Sequence, residues 1–113
     1  MDEILEKIHR ADVIVMASPV YFYSIDAQMK AVIDRCVAHW IKIKNKEFYY
    51  IMTAADDSDT VIDCTLECFR GFAKCLDGSV EKGVIYAKGF YEAGTVKDSP
   101  VMIKAYNMGK SIK

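Results

Sequence analysis

The residues in this chain best equipped to hold a ligand form one run, Ser18-Pro19-Val20-Tyr21-Phe22-Tyr23-Ser24. Three aromatic rings, an aliphatic side chain and two serine hydroxyls make a short wall whose chemistry is that of binding, and a flat slot bordered by backbone amides suits a planar heteroaromatic group. Its place in the chain supports that reading. Residues 11–17 ahead of it carry Val13, Ile14, Val15 and Met16, an unbroken apolar run that predicts a parallel strand covered on both faces. Ser18-Pro19 ends the strand, because proline has no N–H for the ladder. Ser24 is then placed to cap a helix, with Asp26 in its positive first turn. The run therefore leaves the carboxyl end of a strand, where open α/β sheets bind their ligands.

A second loop should face the same crevice. Phe48-Tyr49-Tyr50-Ile51-Met52 reads as a strand, and it runs into Thr53-Ala54-Ala55, residues small enough for a ligand to approach the backbone. Asp56, Asp57 and Asp59 follow; they are read as caps and dipole partners of the next helix, and they would repel a phosphate placed there. Gly89, Phe90, Tyr91 and Gly94 form a third loop, read as turn residues or as a further rim. His9 and His39 have no evident nucleophile or carboxylate partner and are read as helix-surface residues. No Gly-rich dinucleotide fingerprint or P-loop occurs. Cys64, Cys68 and Cys75 share a helix stripe, but Cys68 and Cys75 would lie about 10 Å apart along the axis, too far for all three to reach one zinc ion. With Cys36 they are expected to be reduced thiols acting as small hydrophobes, so no metal site and no catalytic residue are predicted.

Ser18-Pro19-Val20-Tyr21, Ser24, Lys30 and Asp34-Arg35 together resemble the flavin-contacting loop and following helix of the NAD(P)H-dependent FMN reductases, which are flavodoxin-like proteins. Tyr23 stands where that family often has glycine, and Met29 where it has leucine. The resemblance implies FMN held by Ser18, Pro19, Val20, Tyr21, Phe22 and Ser24, with Thr53 and Ala54 meeting the pyrimidine side of the ring. It also implies NAD(P)H as hydride donor and a small molecule as electron acceptor. The family's sheet begins with a strand, a Ser/Thr-rich phosphate loop, a helix and a second strand. These are not in this sequence, so the chain corresponds to about two-thirds of a domain whose strands run 2-1-3-4-5, and Met1 is expected to match an internal position.

The elements that must position these loops follow from periodicity. The expected fold is α/β, a truncated flavodoxin-like three-layer sandwich in one partial domain over residues 1–113. Its three parallel strands lie near 11–17, 48–53 and 83–88, with helices near 2–10, 25–40, 59–76 and 99–112. Ile4, Leu5 and Ile8 give the first helix its buried face. The second carries Met29, Val32, Ile33, Cys36, Val37 and Trp40, the third Ile62, Leu66, Phe69, Ala73 and Leu76, and the last Val101, Ala105, Met108 and Ile112. Leu76-Asp77-Gly78 closes the third helix, and Ser99-Pro100 starts the fourth.

Composition sets limits. With 113 residues, 52% of them hydrophobic and 27% charged, the chain has the bulk for one core. A net charge of -1 gives no basic excess for nucleic acid. No apolar run approaches the ~20 residues of a membrane span, and Met1-Asp2-Glu3 is unlike a signal peptide, so a cytoplasmic protein with no membrane partner is expected. Loss of the preceding strands would leave residues 11–17 as an apolar edge. The chain is therefore expected to form a dimer or larger homo-oligomer, through that strand or through the Cys64/Cys68/Cys75 helix face. Two functions are compatible with these features: an FMN-binding NAD(P)H oxidoreductase whose cofactor carries the chemistry, or a non-catalytic flavodoxin-like module that acts through oligomerisation or partner binding.

Overall fold

The computed structural model describes all of residues 1–113. In chain order the elements are α1 (Asp2–Arg10), β1 (Val13–Pro19), α2 (Ala27–Arg35), β2 (Glu47–Ala54), α3 (Thr60–Lys74), β3 (Val80–Lys88) and α4 (Pro100–Ser111). The strands form one parallel sheet in the order β1-β2-β3. This is the expected flavodoxin-like arrangement of strands and helices. None of the helices is long and apolar enough to cross a membrane.

Side chains alternate across the sheet, so each strand feeds two different surfaces. On one, Phe48, Tyr50 and Met52 of β2 are completely buried beneath Phe69 of α3, with Leu5 of α1 and Met16 of β1 in the same cluster. Tyr50 and Phe69 stack with centroids 5.1 Å apart and planes 6° from parallel. On the other surface α4 lies over β3. Gly83 permits that approach, since a Cβ there would stand 2.9 Å from Met108 Sδ and 3.1 Å from the Tyr49 ring.

Nothing covers the second surface at β1. Val15 is 50% exposed and Ala17 is also open, which corrects the expectation of a strand buried on both faces. The sandwich has three layers over β3 and the Tyr49 end of β2, and two over β1. As an edge strand β1 also accommodates Pro19 as its last residue, two positions beyond the expected end.

The helix expected over 25–40 stops at Arg35. Cys36–Ala38 and Trp40–Lys42 are separate 3-10 turns, joined at His39 with φ of -130°. This break swings Ile43 into the core, where it is fully buried, and leaves Val37 and Trp40 largely on the surface. Lys46 is also buried; its Nζ donates to the carbonyls of His9 and Ala11 and so closes the end of α1. In α4 the stripe Val101, Ala105, Met108 and Ile112 is only half-buried, and Ile103 and Tyr106 are exposed.

Candidate functional site

Where β1 and β2 end, the Val20 amide donates to the Thr53 carbonyl at 2.7 Å and closes the seam between them. The chain then reverses within four residues. Tyr21 and Ser24 exchange both backbone hydrogen bonds, at 3.0 and 3.1 Å. Phe22 and Tyr23 between them have φ of +49° and +65°, the left-handed pair of a type I′ turn. The rings of Tyr21, Phe22 and Tyr23 all stand in solvent, Phe22 entirely.

Two side chains hold this turn against the sheet. Ser18 is buried, with Oγ accepting the Asp26 amide at 2.9 Å and donating to the Pro19 carbonyl at 2.8 Å. Asp26 is the residue that caps α2, Oδ1 accepting the Met29 amide at 2.8 Å. Ser24, expected as the cap, belongs to the turn two residues earlier, and its Oγ lies 3.7 Å from Cys68 Sγ on α3.

Val20, Phe22, Tyr23, Ala54, Ala55, Asp56 and Val61 border an open hollow of about 220 Å³. Ala17, Ser18, Pro19, Ile51 and Thr53 line a second, of about 210 Å³, on the open side of the sheet. The amides of Phe22, Tyr23, Ala55, Asp56 and Asp57 donate no hydrogen bond within the protein, so both loops present unspent backbone donors. The third loop is fastened to the second, the Gly89 amide donating to the Asp56 carbonyl and the Phe90 amide to that of Ala54, each at 3.1 Å.

The aspartates do less capping than expected. Asp56 Oδ1 accepts the Ser58 amide at 2.6 Å, Asp59 pairs with Lys88, and no side chain caps α3. The hydrogen bond that Lys88 donates to Asp59 is the main reason the Lys88 ammonium is held above its ordinary pKa. Tyr86 donates to the Ser58 carbonyl at 3.0 Å, and burial, chiefly, raises its pKa.

The predicted site residues therefore divide. Val20, Phe22 and Ala54 share the first hollow; Ser18, Pro19 and Thr53 share the second; Tyr21 and Ser24 line neither. The Ser18 hydroxyl is fully engaged inside the protein. Tyr23, Ala55 and Val61 complete the first hollow and were not among the expected contacts; for Tyr23 the signal was its place at a position that favours glycine. The largest hollow, about 590 Å³, lies elsewhere, at the far ends of α2 and α3 between Trp40, Cys36, Phe72 and Cys75. No three His, Cys, Asp or Glu side chains converge on a common point. Burial raises the pKa of Cys36.

The model of the NADPH-dependent FMN reductase family matches residues 1–62. The chain belongs to that family. Among curated relatives of this FMN reductase family chain, an iron-sulfur flavoprotein of Methanosarcina thermophila is 54% identical over 37 residues, which are 33% of this chain and 19% of that protein. The aligned stretch thus spans less than a fifth of the relative. Among solved structures, the Trp repressor binding protein from Bacillus subtilis superposes with a TM-score of 0.82 at 19% identity, covering 99% of this chain and 77% of that one. The flavodoxin, WrbA-like protein from Agrobacterium tumefaciens gives 0.71 at 17% identity, covering 100% and 75%. At these identities the likeness establishes the fold.

The site fits the ring part of FMN: apolar and aromatic walls, with free amides for carbonyl groups. No Lys or Arg lines either hollow to meet a phosphate, and Asp56 opposes one. The cysteines do not suit an iron-sulfur cluster, since Cys36 is buried while Cys64 and Cys75 are exposed and about 16 Å apart along α3.

Proposed function

We propose that this chain binds the isoalloxazine ring of FMN at the carboxyl ends of β1 and β2 and serves an NAD(P)H-dependent oxidoreductase that passes electrons to a small acceptor. The observation that carries the proposal is the first hollow, walled by Val20, Phe22 and Ala54 and flanked by two loops in which the amides of Phe22, Tyr23, Ala55, Asp56 and Asp57 have no internal partner. Bound flavin supplies the hydride and electron chemistry. The chain's own residues do the rest: apolar side chains exclude water from the ring faces, and the amides of Phe22, Tyr23 and residues 55–57 donate to its carbonyls. Thr53 and Pro19 bound the ring's edge on the open side of the sheet.

The purified protein should be yellow, or should quench FMN fluorescence on titration. Failure of both rejects the reading. A riboflavin titration run beside it reports on phosphate recognition: equal affinities fit a site made of these residues alone, whereas a strong preference for FMN requires a phosphate site outside them. The protein is proposed to work in the cytoplasm, without nucleic-acid or membrane partners.

A second reading is favoured by the bare side of β1. A parallel sheet is normally covered on both faces, yet Val15 is half exposed on an edge strand whose outer side pairs with nothing. We propose that a second copy of the chain covers this edge, whether the module is catalytic or only structural. Sedimentation velocity should then show a species larger than a monomer, and Val15→Glu should dissociate it; a monomer at all concentrations excludes this arrangement.

A further inference from the structure

The Phe22-Tyr23 pair is conformationally costly with no packing to compensate. Bulky L residues avoid positive φ because Cβ approaches the following carbonyl, and type I′ turns accordingly favour Asn-Gly and Gly-Gly. Here two aromatics occupy both central positions, at +49° and +65°, with Phe22 100% and Tyr23 55% exposed. Strain of this kind persists where the surroundings impose it. They do so here: Tyr21 and Ser24 are locked by two backbone hydrogen bonds, Ser18 ties Asp26 to the strand, and Ser24 rests on Cys68. The turn therefore holds an exposed ring at the mouth of the first hollow.

We infer that Tyr23 is a positioning residue: its left-handed conformation fixes Phe22 as a stacking platform, so that the site selects planar aromatic ligands by ring face, independent of any phosphate. This rests on the flavin-ring reading above and goes beyond it by assigning ligand selectivity to the backbone strain at Phe22 and Tyr23. Stability and affinity should consequently respond with opposite sign at Tyr23. Glycine there relieves the strain and frees the turn, raising the thermal midpoint of the ligand-free protein by roughly 2–5 °C while weakening ring binding.

The test uses riboflavin and lumichrome, the latter a bare ring system, titrated by fluorescence quenching into the wild type, Phe22→Ala, Phe22→Trp and Tyr23→Gly, with thermal midpoints of all four unliganded proteins. Expected are similar wild-type affinities for the two ligands, a loss of about three- to tenfold in Phe22→Ala, the size of one ring stack, and retention in Phe22→Trp. Tyr23→Gly should combine a higher midpoint with weaker binding and a smaller perturbation of the riboflavin absorption band. If the wild type binds and Phe22→Ala binds equally well, or if Tyr23→Gly changes midpoint and affinity in the same direction, the inference fails while the flavin reading stands. If the wild type binds neither ligand, the inference fails, and the FMN titration described above decides the flavin reading separately.

Discussion

Ser18 Oγ accepts the Asp26 amide at 2.9 Å across eight residues of chain, and this single bond joins the end of β1 to the start of α2. The turn that carries Tyr21, Phe22 and Tyr23 lies wholly between its partners. Ser18→Ala should leave that partly buried amide without an acceptor at a cost of about 1–2 kcal/mol, read as a lower urea midpoint at unchanged slope. Flavin-ring affinity should fall with it, because the anchor of the turn is gone.

Asp26 contributes separately through its own side chain, which accepts the Met29 amide at 2.8 Å. Asp26→Ala should cost about 1 kcal/mol, as removal of a helix cap does, and Asp26→Asn should recover nearly all of it. Ser24→Ala should leave helix stability unchanged, since Ser24 caps nothing. Urea denaturation of the three variants separates these outcomes.

Arg70 and Glu81 tie α3 to β3 through two hydrogen bonds, Nε to Oε1 at 2.8 Å and a second guanidinium nitrogen to Oε2 at 3.0 Å. The bond to Arg70, first of all, holds the Glu81 carboxyl below its ordinary pKa. A lowered folded-state pKa adds stability that is complete above the unfolded carboxylate value and disappears as pH falls through the folded one. Both side chains are over a third or about a third exposed, so solvent screening limits the effect to roughly 0.5–1 kcal/mol. Glu81→Gln should be less stable than wild type at neutral pH, and the two stability curves should converge in acid. A gap that persists in acid would assign the loss to packing.

Local signals located the strands and most helix starts because they reside in neighbouring residues: the Val13 to Met16 run, the aromatic run at 48–52, Pro100 at the first turn of α4. What depended on distant chain was not legible. Val15 is as apolar as Val13 and Ile14, and only the absence of a covering layer makes it half exposed. The stripe that continues through Cys36, Val37 and Trp40 contains no glycine or proline, yet the helix stops at Arg35 because Ile43 must reach the core and the chain must enter β2. Lys46 is buried through bonds to His9 and Ala11 that span more than thirty residues. At the site, the aromatic and small residues were readable by type. The inward turn of the Ser18 hydroxyl and the positive φ at Phe22 were not, since neither residue type announces that conformation; at Tyr23 only the likeness to a glycine position pointed to it.

The Tyr50 hydroxyl is buried without a hydrogen-bond partner, while its ring stacks on Phe69. Burial first, and then the Glu81 carboxylate, push its pKa up from 10.0 to about 12. Tyr50→Phe keeps the stacked ring and removes the orphaned polar group, so it should match the wild type or exceed it by about 1 kcal/mol in urea unfolding at neutral pH. Phe69→Ala, which removes the other half of the stack, should cost about 3–5 kcal/mol. The pH dependence gives an independent check. Because the folded-state value is raised, the neutral phenol's contribution is complete below the unfolded value near 10 and is lost as pH rises through about 12. The wild type should therefore lose stability across that alkaline window more steeply than Tyr50→Phe. A Tyr50→Phe protein less stable than wild type by more than about half a kcal/mol at neutral pH would mean that the hydroxyl has a partner, such as an internal water, and contributes to the fold.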